Sequence, residues 1–247
     1  MIDIDPPIAV ASLSGESNAR WARAVDGYVG AAFLGGIGID TMTQAAARGA
    51  VHRGRDEFLT DDPLGFIETQ LRLLEGADLT PAMNVRATAP EPIERAASIC
   101  ATHNAILEVN AHCRQPEVTS LGCGERLCAR LDRLTSFVEA GCDGGASVSV
   151  KVRAELPGVD LTEVATRIES AGASIIHVDA MDSREVIADI AEVTEMTVIA
   201  NNGVRTLSDI NEYLGYGADA VSIGRPSTDP ERVSHLATTA IADGIGF

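Results

Sequence analysis

The chain has almost no lysine. Its 247 residues include 18 arginines but a single lysine, Lys151, and 36 acidic residues against 19 basic ones give a formal net charge of -17. An acid-rich, lysine-poor surface suits a cytoplasm of high salt, because hydrated carboxylates keep the protein soluble. We therefore expect a halophilic source. The same negative charge argues against a simple nucleic-acid-binding protein, which normally presents a basic face.

The sequence also lacks long apolar runs and regular cysteine spacing. No stretch of 18 apolar residues occurs, and the first residues are acidic, so we expect a cytoplasmic protein without a membrane span. Five irregularly spaced cysteines indicate reduced thiols. No CxxC pair or other recognised ligand spacing occurs, so we predict no metal in the set that a metal site would recruit: His103, His112, Cys113, Cys123 and Cys128.

Short apolar runs alternate with amphipathic helical stretches along the whole chain. The runs are mostly continuous, which is typical of parallel strands buried on both faces. The eight predicted strands are Ile8–Leu13, Tyr28–Leu34, Pro81–Val85, Ala105–Asn110, Ser147–Arg153, Ser174–Val178, Thr197–Ala200 and Ala220–Ile223. The clearest predicted helices are Leu64–Leu74, Pro92–Thr102, Leu127–Ala140, Leu161–Ala171 and Leu207–Tyr216.

This alternation predicts an α/β protein with a parallel sheet. Asp160 and Thr206 are predicted helix N-caps, and Gly141, Gly172 and Gly217 stand where helices should stop. Eight units in this length favour a single (β/α)8 TIM barrel that fills residues 1–247 as one domain. An open doubly wound sheet is the alternative, but no GxGxxG follows the first strand.

In such a barrel the functional residues follow the C-terminal ends of the strands. Lys151 is the most informative of them, because burying an ammonium on an apolar strand is costly unless a partner compensates it. Either it forms a salt bridge to Glu108 or Glu155, or it is a fixed cation that faces an electron-rich ligand atom. The residues that follow or end the predicted strands are Asn84, Asn110 to Cys113, Lys151, Arg153, His177, Asn201 to Gly203, Gly224 and Arg225.

Glycine-containing loops follow strands seven and eight, where barrels hold a phosphate on backbone amides. The simpler interpretation is that these glycines only make tight turns. Cys113 lies in a polar loop beside His112 and Arg114, which suits proton exchange better than core packing. His177 is equally well explained as a buried imidazole with satisfied hydrogen bonds, and the other four cysteines are predicted to be structural.

Together these segments resemble the dihydrouridine synthase family of FMN-dependent barrels over roughly residues 80 to 226. That family has Asn-x-Gly-Cys-Pro after strand four, Lys-x-Arg on strand five, a histidine ending strand six, and then Asn-Gly and Gly-Arg. The matching segments here are Asn110-Ala-His-Cys113, Lys151-Val-Arg153, His177, Asn202-Gly203 and Gly224-Arg225. The loop departs from the family in having His-Cys-Arg for Gly-Cys-Pro. We expect a short, archaeal-type member without the family's helical C-terminal domain.

The resemblance implies a role for each matching residue. Lys151, His177 and Asn84 would contact FMN, and its phosphate would be held by Asn202, Gly203, Gly224 and Arg225. Cys113 would protonate C5 of a uracil ring while the flavin delivers hydride to C6, with Asn110 and Arg153 orienting the pyrimidine. NAD(P)H would be the electron donor, the uracil would belong to tRNA or a small pyrimidine, and single-domain barrels often form homodimers.

Other classes of protein remain open on the sequence alone. A flavin-dependent dehydrogenase of the dihydroorotate or dihydropyrimidine type would use a related barrel on a free small molecule. A phosphate-binding isomerase or synthase without flavin would use Lys151 for catalysis or phosphate binding. A barrel that only binds a ligand would have no use for a protic thiol at Cys113.

Overall fold

The computed structural model describes residues 2–245 and contains a closed barrel of eight parallel strands in sequential order. The last strand closes the ring by pairing with the first, in register Ala9 with Ser222. This confirms the predicted (β/α)8 barrel. The strands are β1 Ile8–Val10, β2 Ala31–Gly38, β3 Thr80–Arg86, β4 Ile106–Asn110, β5 Ser147–Arg153, β6 Ile175–Asp179, β7 Thr197–Asn201 and β8 Ala220–Ile223.

Helices connect the strands and cover the outside of the barrel. Asp160 and Thr206 cap helices as predicted, each accepting a hydrogen bond from a backbone N–H of the first turn. The helices are α1 Ala19–Arg23, α2 Thr41–His52, α3 Pro63–Arg72, α4 Pro90–Thr102, α5 Pro116–Thr119, α6 Leu131–Asp143, α7 Leu161–Ser170, α8 Val186–Ala191, α9 Leu207–Gly215 and α10 Pro230–Ala242.

Side chains alternate between the two faces of each strand. On β5 the valines 148, 150 and 152 pack outward into the main core under the helices, while Ser149 and Lys151 belong to the buried polar residues. The interior near the N-terminal ends of the strands is apolar and includes Phe33 and Ile175. Polar side chains are therefore concentrated toward the C-terminal ends, where the site is expected.

Three sequence predictions need correction. The first strand stops at Val10 and not at Leu13. The second runs from Ala31 to Gly38, with a bulge between Gly35 and Ile37, and not over Tyr28–Leu34 as predicted. Gly141 does not stop a helix but lies within α6. A Cβ at this position would come within 2.7 Å of Val148 Cγ2, so glycine allows the close approach of α6 to β5. Gly172 and Gly217 do follow helix ends, with φ of 104° and 93°.

Candidate active site

A cavity of about 1040 Å³ opens at the C-terminal ends of the strands. Its walls come from the loops after β1, β4, β6, β7 and β8 and from the segment after α2. The barrel therefore gathers residues far apart in sequence into one site. Eight of the ten predicted site residues line the cavity: Asn110, Cys113, Lys151, Arg153, Asn202, Gly203, Gly224 and Arg225.

The other two predicted residues, Asn84 and His177, are fully buried and contribute no atom to the cavity lining. Asn84 Nδ2 donates to Glu108 Oε1 at 2.7 Å, and its Oδ1 accepts from Asn110 Nδ2 at 2.8 Å. His177 is bonded at both ring nitrogens, to Glu108 at 2.7 Å and to Ser222 Oγ at 2.7 Å. They support the site, and their predicted contact with a cofactor stays a prediction.

Glu108 is the centre of this buried polar network. Besides Asn84 and His177, it accepts a hydrogen bond from Ser149 Oγ at 3.1 Å. Burial opposes its ionisation, but His177 and the charge of Lys151 outweigh burial and lower the pKa of Glu108. For His177, burial and the same lysine lower the pKa to about 4. The sequence offered Glu108 only as a partner for Lys151, although an acidic residue within an apolar strand was a usable signal.

Lys151 is 3% exposed and lines the cavity. No carboxylate among residues 2–245 lies within 4.0 Å of its ammonium, so neither predicted salt bridge forms there. Glu155 instead accepts from Asp182 N at 3.1 Å and Ser183 Oγ at 2.9 Å. Burial lowers the pKa of Lys151, while the charges of Glu108 and Asp179 oppose that shift. Lys151 is thus a buried, poorly hydrated cation at the cavity wall.

Cys113 is half-buried at the cavity wall and packs beside Ala46, Val118 and Cys123. Its backbone N–H donates to Asn110 Oδ1 at 3.0 Å, so the last residue of β4 positions the loop that carries the thiol. Burial raises the pKa of Cys113 to about 11, against the lowering effect of the Arg86 charge. The thiol is therefore protonated at neutral pH, as a proton donor must be.

His112 and Asp179 form a pair at the cavity wall that the sequence reasoning did not assemble. His112 Nε2 lies 2.5 Å from Asp179 Oδ2, and both residues line the cavity. Burial opposes ionisation of Asp179, yet the His112 hydrogen bond and the charges of His112 and Lys151 lower its pKa to about 2. The position of Asp179 at the end of β6 was the available signal, because functional residues of barrels follow strand ends.

Two buried polar atoms of cavity-lining residues have no hydrogen-bond partner in the described chain, Arg153 Nε and Gln115 Oε1. The Arg153 guanidinium approaches Glu125 at 3.7 Å, and Gln115 Nε2 donates to Glu57 at 3.3 Å. One atom is a donor and the other an acceptor. Buried polar groups are normally paired, so these two atoms are unsatisfied positions in the wall beside the cavity. Gln115 was missed because the residues after Cys113 carried no motif.

The loops after β7 and β8 meet at one side of the cavity. Asn201 Nδ2 donates to the carbonyl and the hydroxyl of Ser222, at 3.0 and 2.8 Å, and so ties the two strand ends together. The backbone at Gly203 has φ of 71°, and Arg225 begins a short 3-10 turn, Arg225–Thr228. Among residues 2–245, no acceptor is found for the backbone N–H groups of Gly203, Gly224 and Arg225. Free amides of this kind suit a phosphate.

The described residues hold no cluster of three or more His, Cys, Asp or Glu side chains suited to a metal. All five cysteines are free thiols. Between residues 2 and 245, no helix has the length and apolar character needed to span a bilayer.

The fold and the site define a class of protein: a TIM barrel whose strand ends combine a buried lysine, a protonated thiol and free loop amides. The sequence model of the dihydrouridine synthase (Dus) family matches residues 73–243. The chain belongs to this family, as its motifs predicted. Membership supports an oxidoreductase in broad terms.

A full-length relative is an uncharacterized protein of Methanocaldococcus jannaschii, 27% identical over 236 residues, which cover 90% of this chain and 89% of the relative. Two shorter similarities are to enzymes whose names include a phosphate or phosphoribosyl group. The HisF subunit of imidazole glycerol phosphate synthase from Sodalis glossinidius is 40% identical over 52 residues, covering 21% of this chain and 20% of the relative. A phosphoribosyl imidazole-carboxamide isomerase of Leuconostoc mesenteroides is 34% identical over 92 residues, covering 34% of this chain and 37% of the relative.

Solved structures agree on the fold. A variant of NCR from Zymomonas mobilis superposes with a TM-score of 0.67 at 15% identity and covers 95% of this chain and 87% of that one. The tryptophan synthase complex from Pyrococcus furiosus gives 0.61 at 11% identity, with coverage of 95% and 97%. At such low identity, these likenesses show the barrel and nothing about its chemistry.

Proposed function

We propose that the protein is an FMN-dependent oxidoreductase that reduces the C5–C6 double bond of a uracil ring. The observation that carries this proposal is Lys151, a buried lysine that lines the large cavity and has no ion pair among residues 2–245. A cation in that position stabilises negative charge on a bound ring system. Membership of the dihydrouridine synthase family supplies the reaction type.

The cavity residues fit FMN. The free amides of Gly203 and Gly224, with Asn202 and Arg225, would hold its phosphate. A cavity of about 1040 Å³ is at the upper end of the usual range for ligand pockets, which leaves room for a second ring beside the flavin. Lys151 would face the isoalloxazine, and His177 and Asn84 are the other residues of the predicted cofactor set.

The chain's own residues would complete the reduction. FMN, when bound, supplies hydride to C6 of the uracil. Cys113 donates the proton that C5 needs, and its pKa of about 11 keeps that proton on sulfur until transfer. Asn110 positions the Cys113 backbone. Arg153 lines the cavity and orients the pyrimidine.

NAD(P)H is the proposed donor that returns the flavin to its reduced form, entering by the same cavity. The uracil belongs to tRNA, as in the family, or to a free pyrimidine, as in dehydrogenases of the dihydroorotate or dihydropyrimidine type. Either source presents the same double bond. The chemistry at Cys113 is therefore common to both.

The test is a single-turnover experiment under anaerobic conditions. The flavin-loaded protein is reduced and mixed with uracil-containing RNA or with a free pyrimidine, and flavin reoxidation and a product two mass units heavier are followed. Cys113→Ala should slow reoxidation by about 10²- to 10⁴-fold. Cys142→Ala is the matched control, because this thiol lies in α6 outside the cavity lining. Equal rates in wild type and Cys113→Ala would contradict the assigned proton donor.

A second candidate is a phosphate-binding isomerase or synthase without flavin. The local similarities to imidazole glycerol phosphate synthase and to the phosphoribosyl isomerase favour it. In that case Lys151 would bind phosphate or act in catalysis, and the loops after β7 and β8 would hold a substrate phosphate. A protein that is colourless and takes up no added FMN would favour this candidate.

A further inference from the structure

Positive charge is concentrated in the cavity of this acidic protein. Of the chain's 19 lysines and arginines, eight line the cavity, whereas only one of its 36 acidic residues, Asp179, does so. The lining therefore carries a formal charge of +7, which leaves -24 for the rest of the chain. The eight cations are Arg53, Arg55, Arg114, Lys151, Arg153, Arg205, Arg225 and Arg232.

The exposed cations fall into two groups on opposite sides. Arg114 follows β4 and Arg225 follows β8, and strands four positions apart in a closed ring of eight lie across the axis from each other. We call Arg53, Arg55 and Arg114 the β4-side arginines, since Arg53 pairs with Glu117 in the helix after β4. The β8-side arginines are Arg205, Arg225 and Arg232.

One flavin phosphate accounts for only the β8 side, where the free loop amides lie. On the β4 side Arg53 is already neutralised by Glu117, whose pKa is lowered chiefly by that hydrogen bond. Glu117 also feels the charge of Arg55, yet neither Arg55 nor Arg114 makes an ion pair within residues 2–245. Two exposed guanidinium groups thus face the cavity without an anion.

We propose that Arg55 and Arg114 form a second phosphate site, and that the substrate is a pyrimidine mononucleotide whose 5′-phosphate binds there. This inference rests on the proposed function, because it assigns the β8 side to the phosphate of FMN. Guanidinium groups suit a phosphate because they offer paired donors to its oxygens. The base then lies over the cavity floor between the two phosphate sites.

Two residues of the cavity wall carry the donor and acceptor types that a uracil edge requires. A uracil ring presents one N–H donor between two carbonyl acceptors. Gln115 Oε1 is an unpaired acceptor, and Arg153 Nε is an unpaired donor. Because Gln115 directly follows Arg114 along the chain, one loop would contact both the base and the phosphate.

The charge distribution favours a mononucleotide over an RNA chain. A polynucleotide follows basic surface over many phosphates, but here the cations that line the cavity are set in a chain whose remainder carries -24. The phosphates of neighbouring nucleotides would meet that negative surface. A compact ligand with its phosphate inside the cavity avoids this repulsion.

Calorimetric titration of the FMN-loaded protein with uridine 5′-monophosphate, uridine and a uridine hexanucleotide, at one fixed salt concentration, tests the proposal. We expect the monophosphate to bind at least about tenfold more tightly than uridine. Arg55→Gln and Arg114→Gln should each weaken the monophosphate about three- to tenfold and leave uridine unchanged. Arg95→Gln is the matched control, since Arg95 is exposed on α4 outside the cavity and also unpaired among the described residues.

Equal binding of uridine and its monophosphate would overturn the proposal. So would a hexanucleotide that binds more tightly than the monophosphate and loses that advantage in the two variants, since the arginines would then contact a polymer backbone. These titrations measure binding without turnover. If the protein holds no flavin, the proposed function fails, while sensitivity of monophosphate binding to Arg55 and Arg114 still supports the second site.

Discussion

Replacing Lys151 by methionine should raise stability and lower the flavin potential at the same time. Methionine has nearly the same length and volume without the charge, so the cavity wall keeps its shape. Burial lowers the pKa of Lys151, which means that the charged form is unfavourable in the folded protein. Removing a poorly compensated buried cation should increase the free energy of unfolding by about 1–3 kcal/mol. Urea denaturation of the apoprotein measures this gain.

The same substitution should lower the midpoint potential of the flavin. A unit charge about 4 Å from the flavin contributes at most about 4 kcal/mol at an effective dielectric constant of about 20. The nearby negative charges of Glu108 and Asp179 offset part of that energy, so we expect a loss of about 1.4–4 kcal/mol for the anionic reduced form. For a two-electron couple this makes the midpoint potential about 30–90 mV more negative.

Anaerobic dye titration of the wild type and Lys151→Met gives the potential directly. Lys151→Arg, which keeps the charge, is the control and should remain within about 15 mV of the wild type. A methionine variant that is less stable, with an unchanged potential, would refute the reasoning. The lysine would then contribute to folding and not to the ligand.

Three further predictions follow from single contacts. Gly141→Ala should destabilise the fold by about 1–3 kcal/mol in urea denaturation, because its Cβ would crowd Val148; an unchanged midpoint would refute the close packing. Asp179→Asn should lower the pKa of His112 further, because the carboxylate raises it, and a rise in the NMR titration of the ring would contradict the pair. The pKa of His177 is about 6.5 in the unfolded chain and about 4 in the folded protein. The free energy of unfolding should therefore drop by about 3 kcal/mol as the pH falls from about 6.5 to about 4. His177→Asn should lack this part of the pH dependence in urea denaturation.

The barrel could be predicted from the sequence because most strands are continuous apolar runs and several helices carry clear end signals. Thr206 and Gly217 bracket α9 as predicted. The predicted role of a glycine was wrong where tertiary packing, and not a helix end, requires the small residue. Gly141 follows a helical pattern and precedes polar residues, so it looked like a stop, but its role is contact with β5.

The sequence predicted which strand ends carry the site, but it did not predict the contacts between their side chains. The rule that barrels place function after their strands selected Lys151 and Cys113 correctly as cavity residues. Hydrogen bonds across the barrel could not be predicted, because residues such as Glu108 and His177 are 69 positions apart in sequence. The pair of His112 and Asp179 depends on the same closure of the ring.

The visible absorption spectrum of the purified protein tests the central claim most directly. The chain should be expressed in a halophilic host, purified in high salt and examined before and after addition of FMN. Bands near roughly 375 and 450 nm and release of FMN on denaturation are expected. A colourless protein that also fails to take up added FMN would contradict it, and the phosphate-binding barrel would take its place.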